Sequence, residues 1–369
     1  MGFIYEELGV SPVINAAGTY TALGGSRMSR QTLAAMAEAA GDFVPMRELQ
    51  ARVHAAIAEL TRNESAYVCT GAAAGLYLAV AAAVQRLRGK RFFDISRDEA
   101  GACNVVMFRA HRNPYDLVIG HLGVQYRELA FPNIILPPTQ DDLERAIDEH
   151  TAAVCYVTTG WAPPGYLPLE ATIKVAKRRG VPVIVDAAAN LPPVENLWRF
   201  TQMGADAVLF SGGKDLGGPQ ASGLMVGSKA FVDAVTSIGF PNYGIGRMLK
   251  VGREEMVGLY AAVKQYIDMD HPARERWCEA QIEALARGLA AHRHLRVERR
   301  FPNEAGQPIA RAFVMLADTD RTPEDLRRHL LENSPPIHAY SEDKHGVFIN
   351  PMSLREGETD VIIRRMLEF

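Results

Sequence analysis

Lys214 stands on a short glycine turn between two apolar segments, a position that suits an amine with a chemical role. The run 207–210 predicts a buried strand, residues 211–213 read Ser-Gly-Gly, and a second apolar run spans 223–226. An ammonium group that is partly removed from water has a lowered pKa, so its neutral amine can attack a carbonyl group. A solvated lysine on a surface loop is the alternative that this residue alone leaves open.

An acid ends the buried run that precedes this turn. Residues 181–185 are apolar, and Asp186 comes directly after them. The carboxyl ends of strands in an open parallel sheet line one ligand crevice, so we expect Asp186 and Lys214 to face the same site. Such a pair suits a pyridinium ring, because the carboxylate keeps the ring nitrogen protonated while the lysine carries the ring as a Schiff base. Taken alone, Asp186 could instead cap a helix N-terminus.

A strand-to-helix turn of small residues offers a place for a phosphate group. The turn consists of Thr70, Gly71, Ala72, Ala73, Ala74 and Gly75. It follows a predicted strand at 66–69 and opens an alanine-rich helix, whose first N–H groups would bind an anion. The turn has neither the Lys-Ser/Thr ending of a nucleotide-binding P-loop nor the spacing of a dinucleotide fingerprint. A tight turn that only packs the helix is the alternative.

These motifs resemble a known group of enzymes. The chain is similar to the pyridoxal-phosphate enzymes of the aspartate-aminotransferase fold, called fold type I. Within them it most resembles the branch of selenocysteine synthase and D-glucosaminate-6-phosphate ammonia-lyase. The motifs that carry the resemblance are 13–18, 70–75, 185–188 and 211–214, with a weaker match at 350–354. The resemblance covers nearly the whole chain and is specific for the cofactor and the fold, but much less so for the reaction.

The resemblance implies an α/β fold with a mostly parallel, seven-stranded sheet flanked by helices and a small C-terminal α+β domain. It implies an N-terminal arm at 1–45, a large cofactor-binding domain at 46–262 and the small domain at 263–369. Alternating strand-like and helix-like runs support this expectation. The predicted strands are 66–69, 104–108, 117–119, 152–158, 181–185, 207–210, 223–226, 311–316 and 346–349. The predicted helices are 29–40, 48–60, an alanine-rich helix that follows the turn 70–75 and ends at 84, 141–149, 169–179, 256–267, 277–289, 323–331 and a last one through 368.

The resemblance also assigns roles around the cofactor, pyridoxal 5'-phosphate. Lys214 would hold the cofactor and move the substrate Cα proton, and Asp186 would keep the pyridinium charged. Thr70, Gly71, Ala72, Ala73 and Ser211 would bind the phosphate. His111 follows a predicted strand and would lie flat against the ring. A solvated or hydrogen-bonded histidine is the alternative for His111.

Three further residues are candidates for substrate binding. Thr19 lies in a glycine-rich arm at 11–28 that would fold over the site, unless the arm only packs on the body of the protein. Trp161 lies in a loop after a strand end, where it would line the pocket or form an interface. The resemblance implies that Arg355 receives the substrate carboxylate in a bidentate pair, although it could equally be a surface arginine beside Glu356 and Glu358.

A cationic loop and the overall composition bear on partners. Arg247 and Lys250 lie on the glycine-bearing loop 242–255. The resemblance implies that this loop reaches the cofactor phosphate of a neighbouring subunit in a homodimer or higher homo-oligomer; a solvated loop is the alternative. The net charge of −3 gives no basic field for nucleic acid or a membrane. Four scattered cysteines show no metal-ligand spacing and suggest reduced thiols. The first residues lack a secretory signal pattern, which favours a cytoplasmic protein.

The group that leaves after loss of the Cα proton decides the reaction. Loss of a β-hydroxyl with release of ammonia is the preferred expectation, which makes the protein a lyase acting on a hydroxylated amino acid or amino-sugar acid. A racemase, an aldolase or a catalytically silent cofactor-binding regulator is the alternative. Selenium transfer is disfavoured, because the fold motifs begin by Asn15 without a preceding tRNA-binding domain and the chain is not basic. Many relatives of the wider fold carry a glutamine or similar group that reaches the phenolic oxygen of the cofactor, and Ala189 stands at that position here. Whether Asn190 replaces that group is left open, and with it the reaction type.

Overall fold

The computed structural model describes the backbone of residues 3–369 and the side chains of all of these but residues 3, 342 and 343. The strands are β1 Ile14–Asn15, β2 Ser65–Cys69, β3 Asn104–Phe108, β4 Gln125–Leu129, β5 Thr151–Val157, β6 Val183–Asp186, β7 Ala207–Ser211, β8 Gly223–Gly227, β9 Leu295–Arg300, β10 Arg311–Leu316, β11 Ile337–His338, β12 Tyr340–Asp343 and β13 Gly346–Ile349. The helices are α1 Phe3–Glu7, α2 Arg30–Gly41, α3 Met46–Leu60, α4 Ala72–Arg88, α5 Arg97–Gly101, α6 Leu117–His121, α7 Gln140–Ala146, α8 Leu169–Arg178, α9 Asn196–Gln202, α10 Lys229–Ile238, α11 Arg253–Asp268, α12 His271–Leu289, α13 Pro323–Glu332 and α14 Glu358–Leu367.

The chain divides into two compact units. The large unit is Met28–Asp268, and the small unit combines the residues up to Arg27 with Met269–Phe369. The predicted boundaries at 45 and 262 stay a prediction for the domains.

A seven-stranded sheet forms the centre of the large unit. Its strand order is β2-β8-β7-β6-β5-β3-β4, and only β8 runs antiparallel to its neighbours. A parallel sheet needs crossover connections, and the intervening helices supply them. The α/β class and the mostly parallel sheet predicted from the sequence are therefore confirmed.

Both faces of this sheet are covered, which explains why its central strands read as unbroken apolar runs. Along β7, Val208 and Phe210 point into one core, while Ala207 and Leu209 point into the other. The first core is completed by α3, α8 and α11, and the second by α4 and α10. Side chains that alternate between two buried faces leave the strand ends as the places where polar groups can act.

In the large unit one predicted strand is wrong, and one edge strand was not predicted. Residues 117–119 were expected to form a strand, but they begin helix α6. Asn113 and Asp116 form a capping box around the turn just before it, which directs the chain into a helix, and Leu117 is exposed. The strand in this region is β4, a sheet edge that carries Gln125, Arg127 and Glu128 because part of it faces solvent.

The small unit contains an antiparallel sheet of order β12-β13-β10-β9 and a parallel pair of β1 with β11. Its core packs residues of α12, α13 and α14 against this sheet. The first segment of the chain is fixed to the last, because Ala16 N–H donates to the His338 carbonyl and Asn350 N–H donates to the Ala16 carbonyl. Of the helices described, none has the length and apolar character needed to cross a bilayer.

Candidate active site

Lys214 lies in a tight turn directly after β7. Gly212 N–H donates to the Ser222 carbonyl at 2.9 Å, Gly218 N–H to the Gly212 carbonyl at 2.8 Å, and Gly217 N–H to the Lys214 carbonyl at 3.0 Å. A Cβ atom on Gly212 would overlap the Ser222 hydroxyl and lie 2.8 Å from a methyl carbon of Leu259. The glycine is therefore required by close packing, and the turn holds the lysine backbone in one place.

The environment of Lys214 suits a nucleophilic amine. Its side chain is only partly exposed, and burial lowers the pKa of its ammonium group, with the opposing effect of Asp186 smaller. A lowered pKa increases the fraction of neutral amine near pH 7, and only the neutral amine attacks an aldehyde. The expected chemistry of this lysine is therefore supported by its surroundings.

Asp186 is the last residue of β6 and lies within the electrostatic reach of Lys214. In the sheet it pairs with Val157 of β5 on one side and with Leu209 of β7 on the other. Burial raises the pKa of its carboxyl group, while the Ala188 N–H and Lys214 lower it. Ala188 N–H donates to Oδ1 at 3.0 Å, and no other described residue donates a hydrogen bond to this carboxylate. One side of the carboxylate thus remains available to a ligand.

The helix α4 begins at the same edge of the sheet. Thr70, Gly71, Ala72 and Ala73 are all partly exposed, and no side chain caps the helix at Gly71. A Cβ on Gly71 would meet no atom within 4 Å, so the space beside this turn is open. On the other side β8 passes so close that a Cβ on Gly223 would lie 2.5 Å from the Gly71 carbonyl carbon. The uncapped N–H groups can therefore bind an anion from the open side only.

His111 follows β3 and is almost completely buried, with 2 % of its surface exposed. Its Nδ1 accepts a hydrogen bond from Val157 N–H at 3.3 Å, which makes Nε2 the protonated nitrogen, and Nε2 has no partner among the described residues. Its ring centroid lies 4.5 Å from that of Tyr156 and 4.6 Å from that of Tyr166. Burial lowers the pKa of His111 to about 4, so the imidazole is neutral at pH 7. With its ring covered by tyrosines, its expected stacking on the cofactor stays a prediction.

The other candidates are distributed between the two units. Ser211 ends β7 and is partly exposed, and Trp161, 51 % exposed, lies in the loop that follows β5. Arg247 and Lys250 are exposed on the loop after α10, and none of the described hydrogen bonds or ion pairs joins them to Lys214 or Asp186. Thr19 and Arg355 belong to the small unit, where Thr19 is partly buried and Arg355 is exposed.

The structure adds residues that the sequence did not single out. Thr158, directly after β5, donates from its N–H to the Asp186 carbonyl at 2.9 Å, and its hydroxyl hydrogen bonds to the side chain of Asn190. Thr158 therefore fixes both the acid and the amide beside it. Its position at the end of the predicted strand 152–158 was the only hint in the sequence. Tyr166 offered no hint, since its contact with His111 spans 55 residues of chain.

These groups fit pyridoxal phosphate by their chemistry. The site has an amine of lowered pKa, a carboxylate with an unused face and an uncapped helix N-terminus beside open space. These three features match the aldehyde, the ring nitrogen and the phosphate of the cofactor, respectively. The donor set therefore supports the cofactor that the sequence predicts.

Comparison with known proteins adds independent information. The model of a protein family described as L-seryl-tRNA selenium transferase, SelA, matches residues 13–299. D-glucosaminate-6-phosphate ammonia lyase of Salmonella typhimurium is 32% identical over 99% of this chain and 97% of its own. A 5'-C-glycyluridine monooxygenase-decarboxylase of Streptomyces sp is 30% identical over 99% of this chain and 91% of its own. A solved structure of D-glucosaminate-6-phosphate ammonia-lyase superposes with a TM-score of 0.85 at 30% identity, covering 100% of this chain and 98% of that one.

Proposed function

Because the chain belongs to the SelA family, we propose that it is a pyridoxal-phosphate-dependent ammonia-lyase. The substrate class is a 2-amino-3-hydroxy acid, either an amino acid or an amino-sugar acid. The net reaction gives a 2-oxo acid and ammonia, because the water lost from Cα and Cβ is returned on hydrolysis. The observation that carries the reaction type is the near-full-length similarity to D-glucosaminate-6-phosphate ammonia lyase.

When bound, the cofactor ring withdraws electrons from the substrate Cα and makes its proton removable. Lys214 is proposed to hold the cofactor aldehyde, to take the Cα proton and to donate a proton to the departing β-hydroxyl group. Support for this acid–base role comes from its burial and lowered pKa. Asp186 is proposed to hold a proton at the ring nitrogen, in keeping with its unused carboxylate face.

The remaining roles are proposed on the same footing. Backbone N–H groups of Gly71, Ala72 and Ala73, with the hydroxyl groups of Thr70 and Ser211, bind the cofactor phosphate. Thr158 holds the backbone of Asp186 through its N–H and orients the side chain of Asn190 through its hydroxyl. His111 and Trp161 line the boundary of the site, and Thr19 and Arg355 bind the substrate.

A homodimer or higher homo-oligomer with shared sites forms part of the proposal. Arg247 and Lys250 lie on an ordered loop, since Gly246 N–H donates to the Ile238 carbonyl at 2.9 Å. On the same loop Tyr243 is 91% exposed and Met248 is 68% exposed, which is unusual for large apolar side chains and suits an interface.

We also assign the protein to the cytoplasm, a reducing compartment, since its four cysteines are buried free thiols.

The direct test combines a spectrum with a product screen. The purified protein should show the visible absorbance of bound pyridoxal phosphate, and Lys214→Ala should lose its imine band. With 2-amino-3-hydroxy acids, including D-glucosaminate-6-phosphate, the wild type should release ammonia and a 2-oxo acid in equal amounts, whereas a 3-deoxy analogue should release neither. Exchange of enantiomers, an aldehyde product or oxygen-dependent decarboxylation would each replace the lyase with another reaction. Cofactor binding without any turnover would favour the regulator.

A further inference from the structure

The residue after Lys214 is anchored to a helix that lies later in the chain. Asp215 is buried, with 8 % of its surface exposed, and its Oδ2 accepts a hydrogen bond from the Tyr266 hydroxyl at 2.8 Å. Tyr266 belongs to α11 and is 1 % exposed. A buried carboxylate that accepts a hydroxyl hydrogen forms a strong and well-directed contact, because little water competes for either group. The pair therefore joins the lysine turn to α11.

One face of α11 supports the same turn. Leu259, Ala262 and Tyr266 are separated by three and four residues, so they project from one side of the helix. A Cβ atom on Gly218 would lie 3.1 Å from a methyl carbon of Leu259 and 3.5 Å from the Cβ of Ala262. Both of these helix residues are buried. Helix α11 thus contacts the turn at Asp215 and again at Gly218, which makes it a fixed base for the lysine.

The hydrogen bonds within the turn hold the two sides of Lys214 unequally. Gly217 N–H donates to the Lys214 carbonyl at 3.0 Å, which is a normal distance. Lys214 N–H donates to the Ser211 carbonyl at 3.5 Å, beyond the usual range of about 2.7–3.2 Å. The buried contact of Asp215 with Tyr266 therefore adds a firm anchor one residue from the lysine.

The pair acts on Lys214 through position and not through charge. Burial lowers the pKa of the Lys214 ammonium group, and the charge of Asp186 raises it. These two effects account for the shift of the pKa, whereas the carboxylate of Asp215 is directed to Tyr266. Loss of the Tyr266 hydroxyl should therefore displace the amine without changing the groups that set its pKa.

We propose that Tyr266 is a positioning residue, which fixes the Lys214 amine through Asp215. This inference deepens the proposed function and rests on it for the aldehyde that the amine meets. An amine must approach a carbonyl carbon along a narrow path, and a displacement of about 1 Å costs on the order of 10²-fold in rate. The sequence pointed to Lys214 on its glycine turn, and the structure adds the distant hydroxyl group that holds this turn.

Formation of the lysine linkage tests this role without substrate turnover. Full-length protein freed of cofactor is mixed with pyridoxal phosphate, and the rate at which the imine band appears is recorded; each linkage releases one water. Tyr266→Phe removes the donor and Asp215→Ala removes the acceptor, so both should react at least tenfold more slowly than the wild type. Asp215→Asn keeps an acceptor oxygen for the hydroxyl group, so its rate should stay within threefold of the wild type.

Tyr67→Phe is the matched control. Tyr67 is also 1 % exposed, and its hydroxyl hydrogen bonds to the backbone of Phe240. Its loss should lower the unfolding temperature, as Tyr266→Phe does, but leave the rate of imine formation within threefold of the wild type. Circular dichroism confirms that each variant is folded at the assay temperature. If Tyr266→Phe does not fold, Asp215→Ala tests the same hydrogen bond from its other end.

Three results would overturn the positioning role. Imine formation in Tyr266→Phe within threefold of the wild type would leave the hydroxyl group with a structural role only. A loss in Asp215→Asn as large as in Asp215→Ala would show that the hydrogen bond is not the cause. Losses that multiply in Tyr266→Phe/Asp215→Ala would mean that the two residues act independently, since one shared hydrogen bond can be lost only once.

The same rates separate this inference from the proposed reaction. A wild type that forms the imine but releases no ammonia removes only the lyase, and the variants still decide the positioning role. A wild type that forms no imine overturns both proposals. In an active lyase, Tyr266→Phe should lower kcat at least tenfold and change KM less than threefold, because the hydroxyl group acts on the amine and not on substrate binding.

Discussion

At the scale of single residues, Asp186 places a carboxylate beside the amine of the candidate site. It ends a buried strand, shares its environment with Lys214 and has one face of its carboxylate unused. A buried carboxylate whose charge is only partly balanced is unfavourable because burial removes its hydration. A cationic partner such as a protonated ring nitrogen would relieve that cost, which makes the acid a test of the cofactor itself.

Replacement of Asp186 by asparagine should therefore impair catalysis more than folding. The amide side chain would keep a similar shape but could not hold a proton at the ring nitrogen, so we expect turnover to fall on the order of 10²–10³-fold. The visible spectrum of the bound cofactor should shift at the same time. The test measures steady-state turnover and the absorbance spectrum of the wild type and of Asp186→Asn.

Asp206→Asn serves as the matched control for this substitution. Asp206 lies at the opposite end of the strands, burial raises the pKa of its carboxyl as well, and it accepts a hydrogen bond from Val183 N–H at 2.9 Å. An asparagine can still accept that bond, so turnover should change less than about threefold. Equal losses in the two variants would assign Asp186 a structural role instead.

Residues of the site were predictable where the strand pattern itself marks them. Lys214 and Asp186 directly follow buried apolar runs, and in a parallel sheet such runs bring their carboxyl ends to one edge. Tyr166 carried no such mark, since its partner His111 lies 55 residues away in the sequence. A contact between distant segments requires the folded chain to be seen.

At the scale of elements, the edge strand β2 shows how the large unit protects a sheet border. β2 pairs only with β8, so alternate N–H groups point away from the sheet. Helix α3 covers this border, and Nε2 of its buried His54 accepts a hydrogen bond from Val68 N–H at 3.0 Å. Burial lowers the pKa of His54 to about 4, so the neutral ring remains an acceptor at pH 7.

This contact predicts a pH-dependent contribution to stability. The pKa of His54 is about 4 in the folded protein and 6.5 as the unperturbed value, so the unfolded chain binds the proton more readily. The contribution of neutral His54 to the free energy of unfolding is therefore fully present above pH 6.5 and falls as the pH drops toward 4. His54→Gln should reduce the loss of unfolding free energy between pH 7.5 and pH 5 by about 2 kcal/mol in urea titrations.

A second substitution separates the hydrogen bond from the titration. His54→Leu removes the acceptor, so it should lower the free energy of unfolding at pH 7.5 by about 1–3 kcal/mol. The amide oxygen of His54→Gln can still accept the hydrogen bond, so this variant should lose only a small part of that free energy. His111 titrates in the same direction and remains in every variant, so some acid sensitivity should persist. An unchanged pH profile in His54→Gln would contradict the assignment.

The helices and strands differ in how reliably the sequence pattern predicts them. Strands β3 and β10 begin and end at the predicted residues, because buried apolar runs bounded by polar residues are unambiguous. Strand β9, with the sequence LRVERR, was missed because only part of one face is buried. Residues 117–119 were misassigned because three apolar residues fit a helix as well as a strand, and the capping box before them decided the outcome.

At the scale of the whole molecule, the proposed shared site predicts a specific complementation. In Arg247→Glu/Lys250→Glu, the loop would repel the cofactor phosphate of the partner subunit, so cofactor affinity should fall at least tenfold. Arg287→Glu/Arg328→Glu changes the same charge on exposed residues of the small unit and should leave affinity unchanged. Light scattering of each variant reports whether the oligomer persists.

Mixing variants then tests whether two chains build one site. Subunits of Lys214→Ala and of the loop variant are mixed at a cofactor concentration that leaves the loop variant unloaded, so that each is inactive alone. They should exchange into dimers in which one site carries both defects and the other carries none. Random exchange would restore about a quarter of the wild-type activity. A mixture that stays inactive despite demonstrated exchange would show that each subunit builds its own site.

The small unit is assembled from both ends of the described chain, since β1 pairs with β11 and Asn350 donates to Ala16. During translation the first strand leaves the ribosome long before its partners, which are added only after the entire large unit. Chains grow at about 5–20 residues per second, so this segment waits unpaired for many seconds. Vectorial synthesis thus allows the large unit to fold before the small unit can form, and nascent chains arrested before residue 337 should expose the first segment to added protease.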